Sequence, residues 1–273
     1  MEIKARGLTF DVYEGGPSDG EPVLLLHGFP QDHREFDLIA PKLHEAGLRT
    51  YAMDQRGTSP GARPPDVADY RMPEVTADAL AVMDALGLES AHVIGHDWGA
   101  QVGWLMAARH PERVRTLTAV SVPHPKALLL ALRVRPSQQA RMLYFRVFQT
   151  SMSERLLRAN GGAVLKGMLR PAGARAPIYV NAMLDEPDRL TGGLNWYRAL
   201  TAEQLADVGV IRVPTTYVWS DRDGVVSRLA ALRTRDWVEA DYQLVAMRGI
   251  SHWVPEQAPR SLADAAIVRI RGV

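Results

Sequence analysis

The sequence predicts an α/β fold: a mostly parallel central sheet, flanked by helices on both faces and interrupted by one inserted helical cap. Three observations carry this. Short apolar runs alternate with helix-length segments up to Val122, the pattern of a parallel sheet with crossover helices. Strand signals then vanish from Pro123 to Gly209, a stretch rich in Leu, Arg, Ala and Met and broken by Pro and Gly. They return at Val213 and continue to the end. The expected division is a core domain at residues 1–122 and 210–273 and a helical cap domain at 123–209.

The opening residues, with the turn-rich GGPSDG at Gly15 to Gly20, predict a β-hairpin at a sheet edge. Val23 to Leu26 is apolar throughout, as suits a strand covered on both faces, and it runs directly into His27, Gly28, Phe29 and Pro30. Arg34 to Ala46 has helical spacing with a stop at Gly47, and Arg49 to Met53 is the next strand. The loop DQRGTSP follows at Asp54 to Pro60. A helix over Pro73 to Leu86 has proline at its start and Gly87 at its end. Ala91 to Arg109 reads as strand, sharp turn and helix, and Val114 to Val122 as another strand. Beyond the insertion come a strand at Val213 to Ser220, a loop at Asp221 to Val226, a helix near Arg228 to Glu239 and a strand at Tyr242 to Met247. A loop carrying His252 and a helix near Pro259 to Ile270 complete the sheet. Ligands bind at the carboxyl ends of strands in such sheets. HGFP, DQRGTSP and GHDWG all lie at that edge.

The 273 residues are 47% hydrophobic and 23% charged, an ordinary globular composition. A formal charge of +1 points to no polyanionic partner, so neither nucleic acid nor membrane is expected. With no cysteine, disulfides, thiolate chemistry and cysteine metal sites are excluded. MEIKARGLTF lacks a secretory core, and no apolar run approaches the roughly 18 residues that span a membrane. A cytoplasmic location is expected.

Chemistry centres on the turn GHDWG. Lifting one side chain clear between strand and helix requires a strained backbone and small flanking residues, and Asp tolerates a left-handed conformation better than most. The carboxylate of Asp97 would sit near a helix N-terminus, which favours its ionised form. An ionised carboxylate is a nucleophile. The plainer alternative is a βα turn in which Asp97 only caps the helix. Downstream lie an acid in DRDG and then His252 in GISHW, each in a loop after a predicted strand. Nucleophile, acid, histidine is the chain order of hydrolases built on this architecture. Asp223 is favoured to orient His252, with Asp221 the alternative two residues away; either could instead bond its own turn backbone.

Nearly the whole chain resembles the epoxide hydrolase branch of the α/β-hydrolase family, on HGFP, DQRG, GHDWG, LYFRVFQ, GGLNWYR, DRDG and GISHW. The resemblance implies an enzyme that converts an epoxide and water to a vicinal diol without metal or organic cofactor. It places the acid at Asp223 and implies that two cap tyrosines, here Tyr144 and Tyr197, bind the epoxide oxygen. Asp97 would attack an epoxide carbon to give a covalent alkyl ester. Two phenols would stabilise the departing oxygen. His252, held by Asp223, would then activate a water that attacks the ester carbonyl. The backbone N–H groups of Phe29 and Trp98 would form the oxyanion hole, each worth on the order of 3 kcal/mol.

Phe29, Trp98 and Trp196 are expected to line an apolar pocket for an apolar epoxide. The Phe29–Pro30 bond is a candidate for the cis form. His92 and His96 have the spacing of a zinc pair but straddle a strand end and a turn, so no metal is expected. His124 is expected to shape the cap hinge. Arg133, Arg135, Arg141 and Arg146 read as a solvated cap face. The competing reading is a haloalkane or fluoroacetate dehalogenase with the same Asp nucleophile. A resemblance to the dehalogenases would call for Asn where Phe29 stands or Arg where Trp98 stands. A non-catalytic binding protein for small apolar ligands is the further alternative.

Overall fold

The computed structural model describes residues 1–272, with Pro187 described by its backbone alone. Eight strands form one sheet: β1 (Glu2–Ala5), β2 (Leu8–Gly15), β3 (Glu21–Leu26), β4 (Leu48–Met53), β5 (Ala91–His96), β6 (Val114–Val120), β7 (Thr215–Ser220) and β8 (Tyr242–Met247). Their order is β1-β2-β4-β3-β5-β6-β7-β8. β1 and β2 run antiparallel to their neighbours, and β3 to β8 are parallel.

The unbroken apolar runs are explained by burial on both faces. Along β3, Leu24 and Leu26 face a core with Val75, Val82 and Trp104, while Val23 and Leu25 face a second core with Leu43, Leu262 and Ile270. The first layer is built by the helices Met72–Ala85 and Trp98–Arg109, the second by Ala40–Glu45 and Pro259–Arg271. No helix among the described residues is long and apolar enough to cross a membrane.

Three sequence expectations are corrected. The edge hairpin is β1–β2, closed by Arg6 and Gly7, both with positive φ. GGPSDG instead joins β2 to β3, which β4 separates in the sheet. The single helix over Arg34 to Ala46 is two pieces, a 3-10 turn at His33–Phe36 and an α-helix at Ala40–Glu45. Pro41 lacks the N–H that a continuous helix would bond, and it is accommodated only in a first turn. The helix after Arg228 is α only to Arg233 and tightens into a 3-10 turn through Trp237. There the Thr234 hydroxyl bonds back to the Ala230 carbonyl, a competition with the helix ladder that Thr commonly makes.

Between β6 and β7 the described residues form seven α-helices, from Pro125–Val134 to Ala202–Ala206. Pro125, Pro136, Pro177 and Pro187 sit in the first turns of four of them, where a missing N–H costs nothing. The two ends of the insertion meet: the buried His124 ring donates through Nε2 to the Gly209 carbonyl at 3.0 Å. Burial lowers the pKa of His124 to about 4, so the ring is neutral. The helix Pro187–Ala199 seats on the core by its glycines. A Cβ on Gly192 would lie 2.6 Å from Gly57 Cα, and one on Gly193 would lie 2.7 Å from the Phe29 ring.

Candidate active site

β5 ends at His96, the helix Trp98–Arg109 starts one residue later, and Asp97 alone makes the turn, at φ 50° and ψ −115°. This is a strained conformation for a residue with a Cβ. Its neighbours must be glycine. A Cβ on Gly99 would lie 1.8 Å from the Leu26 carbonyl oxygen, one on Gly95 would lie 2.2 Å from the Gly99 carbonyl oxygen, and one on Gly28 would lie 2.5 Å from Asp97 Cβ. The helix therefore packs backbone against backbone on β3. That contact holds Asp97 up at the carboxyl edge of the sheet.

The Asp97 carboxylate is engaged on both oxygens. Oδ1 accepts the Phe29 N–H at 3.0 Å, and Oδ2 lies 3.3 Å from His252 Nε2. His252 Nδ1 is 2.9 Å from Asp223 Oδ2, whose other oxygen accepts the N–H groups of Val225 and Val226 at 2.6 and 2.9 Å. Asp221 is exposed and accepts the Gly249 N–H at 2.7 Å, on the far side of the same loop. Geometry thus puts Asp223, and not Asp221, against the imidazole. Trp98 occupies the first position of its helix, where an N–H has no intrahelical acceptor.

HGFP is held from behind. His27 Nε2 accepts the Gln55 N–H at 3.0 Å and Nδ1 faces the Gly28 carbonyl at 2.9 Å, a pairing that requires a neutral ring. Burial lowers its pKa accordingly. The Phe29–Pro30 bond is cis.

Electrostatics couple the three groups. Burial opposes charge on His252, but Asp223 and then Asp97 outweigh it and raise its pKa to about 10. Burial alone would raise the Asp97 pKa; His252, with the Phe29 N–H, holds it below its ordinary value.

Two cavities, of about 430 and 570 Å³, meet at this carboxylate and share Asp97 and Tyr144 in their walls. Trp98 lines the first, with Leu128 and Leu205; Phe29, Tyr197 and His252 line the second. The Tyr144 and Tyr197 rings are 6.1 Å apart, and Gln149 ties their segments by donating to the Tyr197 carbonyl at 3.0 Å. Burial pushes both phenols well above their ordinary pKa, and the Asp97 charge adds to the effect. Both are therefore protonated donors at neutral pH. Trp196 is a correction. Its indole N–H is committed to the Arg56 carbonyl at 2.8 Å, and it sits behind Trp98 in a narrow gap with His27 and Gly28, outside both cavities.

Sequence reasoning missed a buried support beneath His252. His96 Nε2 lies 3.0 Å from the His252 carbonyl, which also accepts the Ser121 hydroxyl at 2.8 Å. His96 Nε2 must then carry the proton, leaving Nδ1 as an acceptor 3.2 Å from Glu35 Oε2. That contact is a hydrogen bond only if Glu35 is protonated, and burial, with Glu256 nearby, raises the Glu35 pKa well above the usual carboxylate range. Glu35→Gln, which still offers a donor, is expected to keep wild-type thermal stability. Glu35→Leu, which strands a buried acceptor, is expected to lose about 1–3 kcal/mol. Equal losses in thermal melts would mean that Glu35 is ionised.

His92 and His96 point to separate partners, Thr116 for the first and Glu35 for the second. Ligand atoms of Asp32, His33 and Asp54 lie within 4.8 Å of one another, but Arg34 and Arg189 already neutralise Asp32.

A family model described as the alpha/beta hydrolase fold matches residues 21–259. The AB hydrolase superfamily protein YfhM of Bacillus subtilis is 32% identical over 266 residues, covering 94% of this chain and 92% of its own length. Epoxide hydrolase A of Mycobacterium tuberculosis is 28% identical over 318 aligned residues, 99% of this chain and 97% of its own. Among solved structures, epoxide hydrolase A from Mycobacterium thermoresistibile superposes with a TM-score of 0.85 at 25% identity, covering 100% of this chain and 98% of that one.

Proposed function

Since the chain belongs to the α/β-hydrolase fold family, we propose that it opens an epoxide with water to a vicinal diol through a covalent alkyl ester on Asp97. The observation that carries this reading is the facing of one buried carboxylate, paired to His252, by two protonated phenols across an apolar cavity. The names of relatives such as epoxide hydrolase A of Mycobacterium tuberculosis support it.

In this mechanism Tyr144 and Tyr197 donate hydrogen bonds to the epoxide oxygen while Asp97 Oδ2 attacks a ring carbon. One C–O bond forms, the ring C–O bond breaks, and a phenol proton passes to the alkoxide. Asp97 Oδ1, on the Phe29 N–H, becomes the ester carbonyl oxygen. His252 next takes a proton from water, and the hydroxide adds to the Asp97 carbonyl carbon. The oxyanion develops on the atom that Phe29 already holds, joined by the Trp98 N–H. Collapse releases the diol and restores the carboxylate, and the proton taken up by His252 returns to the phenolate left by ring opening, which resets the site. The helical insertion acts as the cap that supplies the phenols and keeps the cavity apolar.

The reading is tested by product analysis after incubation with styrene oxide, a long aliphatic epoxide and 1-bromobutane. Diol is expected from the epoxides and absent with Asp97→Ala; bromide release without diol would move the protein to the dehalogenases. Tyr144→Phe and Tyr197→Phe are each expected to slow ring opening by about 10²-fold. Unchanged opening in both would remove the phenols from the mechanism.

A further inference from the structure

The overall charge of +1 conceals a sharp separation. From Pro125 to Arg175 the chain carries ten basic residues and one acidic residue, against 22 basic and 30 acidic residues elsewhere. The lone carboxylate of that stretch, Glu154, is held by Arg198 from outside it. Arg158 is taken up by the carbonyls of Met183 and Leu184, and Arg175 by Asp37. Arg146 and Arg155 are exposed and have no ion-pair partner among the described residues.

Apolar exposure concentrates on the same stretch. Of the twelve large apolar side chains exposed among the described residues, six lie between Val134 and Val164. Val147, Met152 and Leu156, exposed to 41%, 67% and 43%, alternate with Arg146 and Arg155 around one open groove of about 530 Å³. This groove is joined to the reaction cavity: Val147 and Leu156 belong to the walls of both.

We propose that this face of the cap docks on an anionic lipid surface. The apolar side chains would enter the headgroup layer, and Arg146 and Arg155 would meet lipid phosphates. Unpaired cations interleaved with large exposed apolar groups fit that surface better than nucleic acid, which gives the apolar groups nothing to bury against. The expectation of no membrane partner came from the overall charge and the lack of a spanning run. Peripheral docking depends on neither. Continuity with the cavity gives an apolar epoxide dissolved in lipid a route to Asp97, and that consequence rests on the proposed reaction, whereas docking itself does not.

Flotation of the full chain with vesicles reads docking without turnover. The protein is expected to float with vesicles of phosphatidylcholine plus phosphatidylglycerol, to stay behind with phosphatidylcholine alone, and to be released by high salt. Each basic side chain at an anionic surface strengthens partitioning about five-fold, so Arg155→Glu, a change of two charges, is expected to weaken it about 25-fold. Met152→Asp is expected to abolish flotation. Both variants should turn over styrene oxide at the wild-type rate if the protein is an epoxide hydrolase, because neither side chain lines the cavities at Asp97. Any of four results would overturn the proposal: no flotation with anionic vesicles, equal flotation with both vesicle types, flotation unaffected by either substitution, or salt-sensitive binding to polyglutamate or to a second copy of the chain in preference to vesicles.

Discussion

His252→Gln is expected to turn the protein into a single-turnover reagent that opens one epoxide and keeps it. In the proposed mechanism Asp97 and the two phenols make the ester and are intact in this variant; only the base that would activate water is gone. Steady turnover should fall by about 10³–10⁴-fold, while intact-mass measurement shows the chain heavier by one substrate. Asp97→Ala should show neither turnover nor added mass, a loss of at least about 10⁴-fold. A His252→Gln protein that never gains mass would sink the two-step assignment.

The same experiment has a pH dependence whose sign follows from the site. At rest, carboxylates on both sides hold the His252 pKa up at about 10. Esterification of Asp97 removes one of those charges, so the pKa falls. A larger share of His252 is therefore neutral in the proposed ester than before it forms. Hydrolysis should speed up as pH rises through the lowered value. Ester formation, which needs ionised Asp97 and protonated phenols, should stay flat through the neutral range, where both conditions hold. Rapid-quench traces are thus expected to show more accumulated ester at low pH even in the unsubstituted protein.

Gly99→Ala is the second large effect, on stability rather than chemistry. Its Cβ would lie 1.8 Å from the Leu26 carbonyl oxygen and 2.3 Å from the Leu26 carbonyl carbon. Both belong to the backbone of a central strand, so neither can rotate aside. Relief requires the helix Trp98–Arg109 to lift from β3, which opens the core that Trp104 and Val102 fill. A cost above about 4 kcal/mol is expected, against a total stability of about 5–15 kcal/mol. Gly167→Ala is the contrast. It lies in the helical piece of Ser153–Leu169 that follows the break at Ala159–Gly162, and its Cβ would meet nothing within 4 Å. That change should stabilise by about 0.5–1 kcal/mol. Denaturant unfolding of both variants separates them; a Gly99→Ala protein with an unchanged midpoint would contradict the close helix–strand contact.

The sheet and the site residues differ in how they can be read from the sequence. The strands were legible because burial on both faces leaves unbroken apolar runs, and the elbow because close helix–strand packing leaves glycines at fixed spacing around Asp97. Those are local signatures. What pairs residues across the sheet leaves none. Glu35 and His96 meet only because β5 lies beside β3, whose loop leads to Glu35, and nothing in either segment announces the other. Spacing alone does not separate Asp221 from Asp223; the resemblance favours the second, and the fold of their loop turns that one inward. Trp196 has the apolar aromatic character expected of a pocket wall and sits next to Tyr197, which lines a cavity, yet one step along a helix turns a side chain about 100° away. The basic character of the cap was visible in its arginines but hidden by the chain's overall balance.

The bond from His124 to Gly209 has a wider consequence. Because the inserted stretch leaves and rejoins the core at points a single hydrogen bond apart, the sheet experiences it as no more than a turn between β6 and β7. Helices can be lengthened, shortened or exchanged inside that closed loop without altering the register of the strands or the position of Asp97, and the added loop length costs little in closure entropy. The core thus holds Asp97, His252 and Asp223 in place, while the inserted stretch can diversify around them. New pockets can be explored on the inserted stretch while Asp97 stays where the sheet holds it.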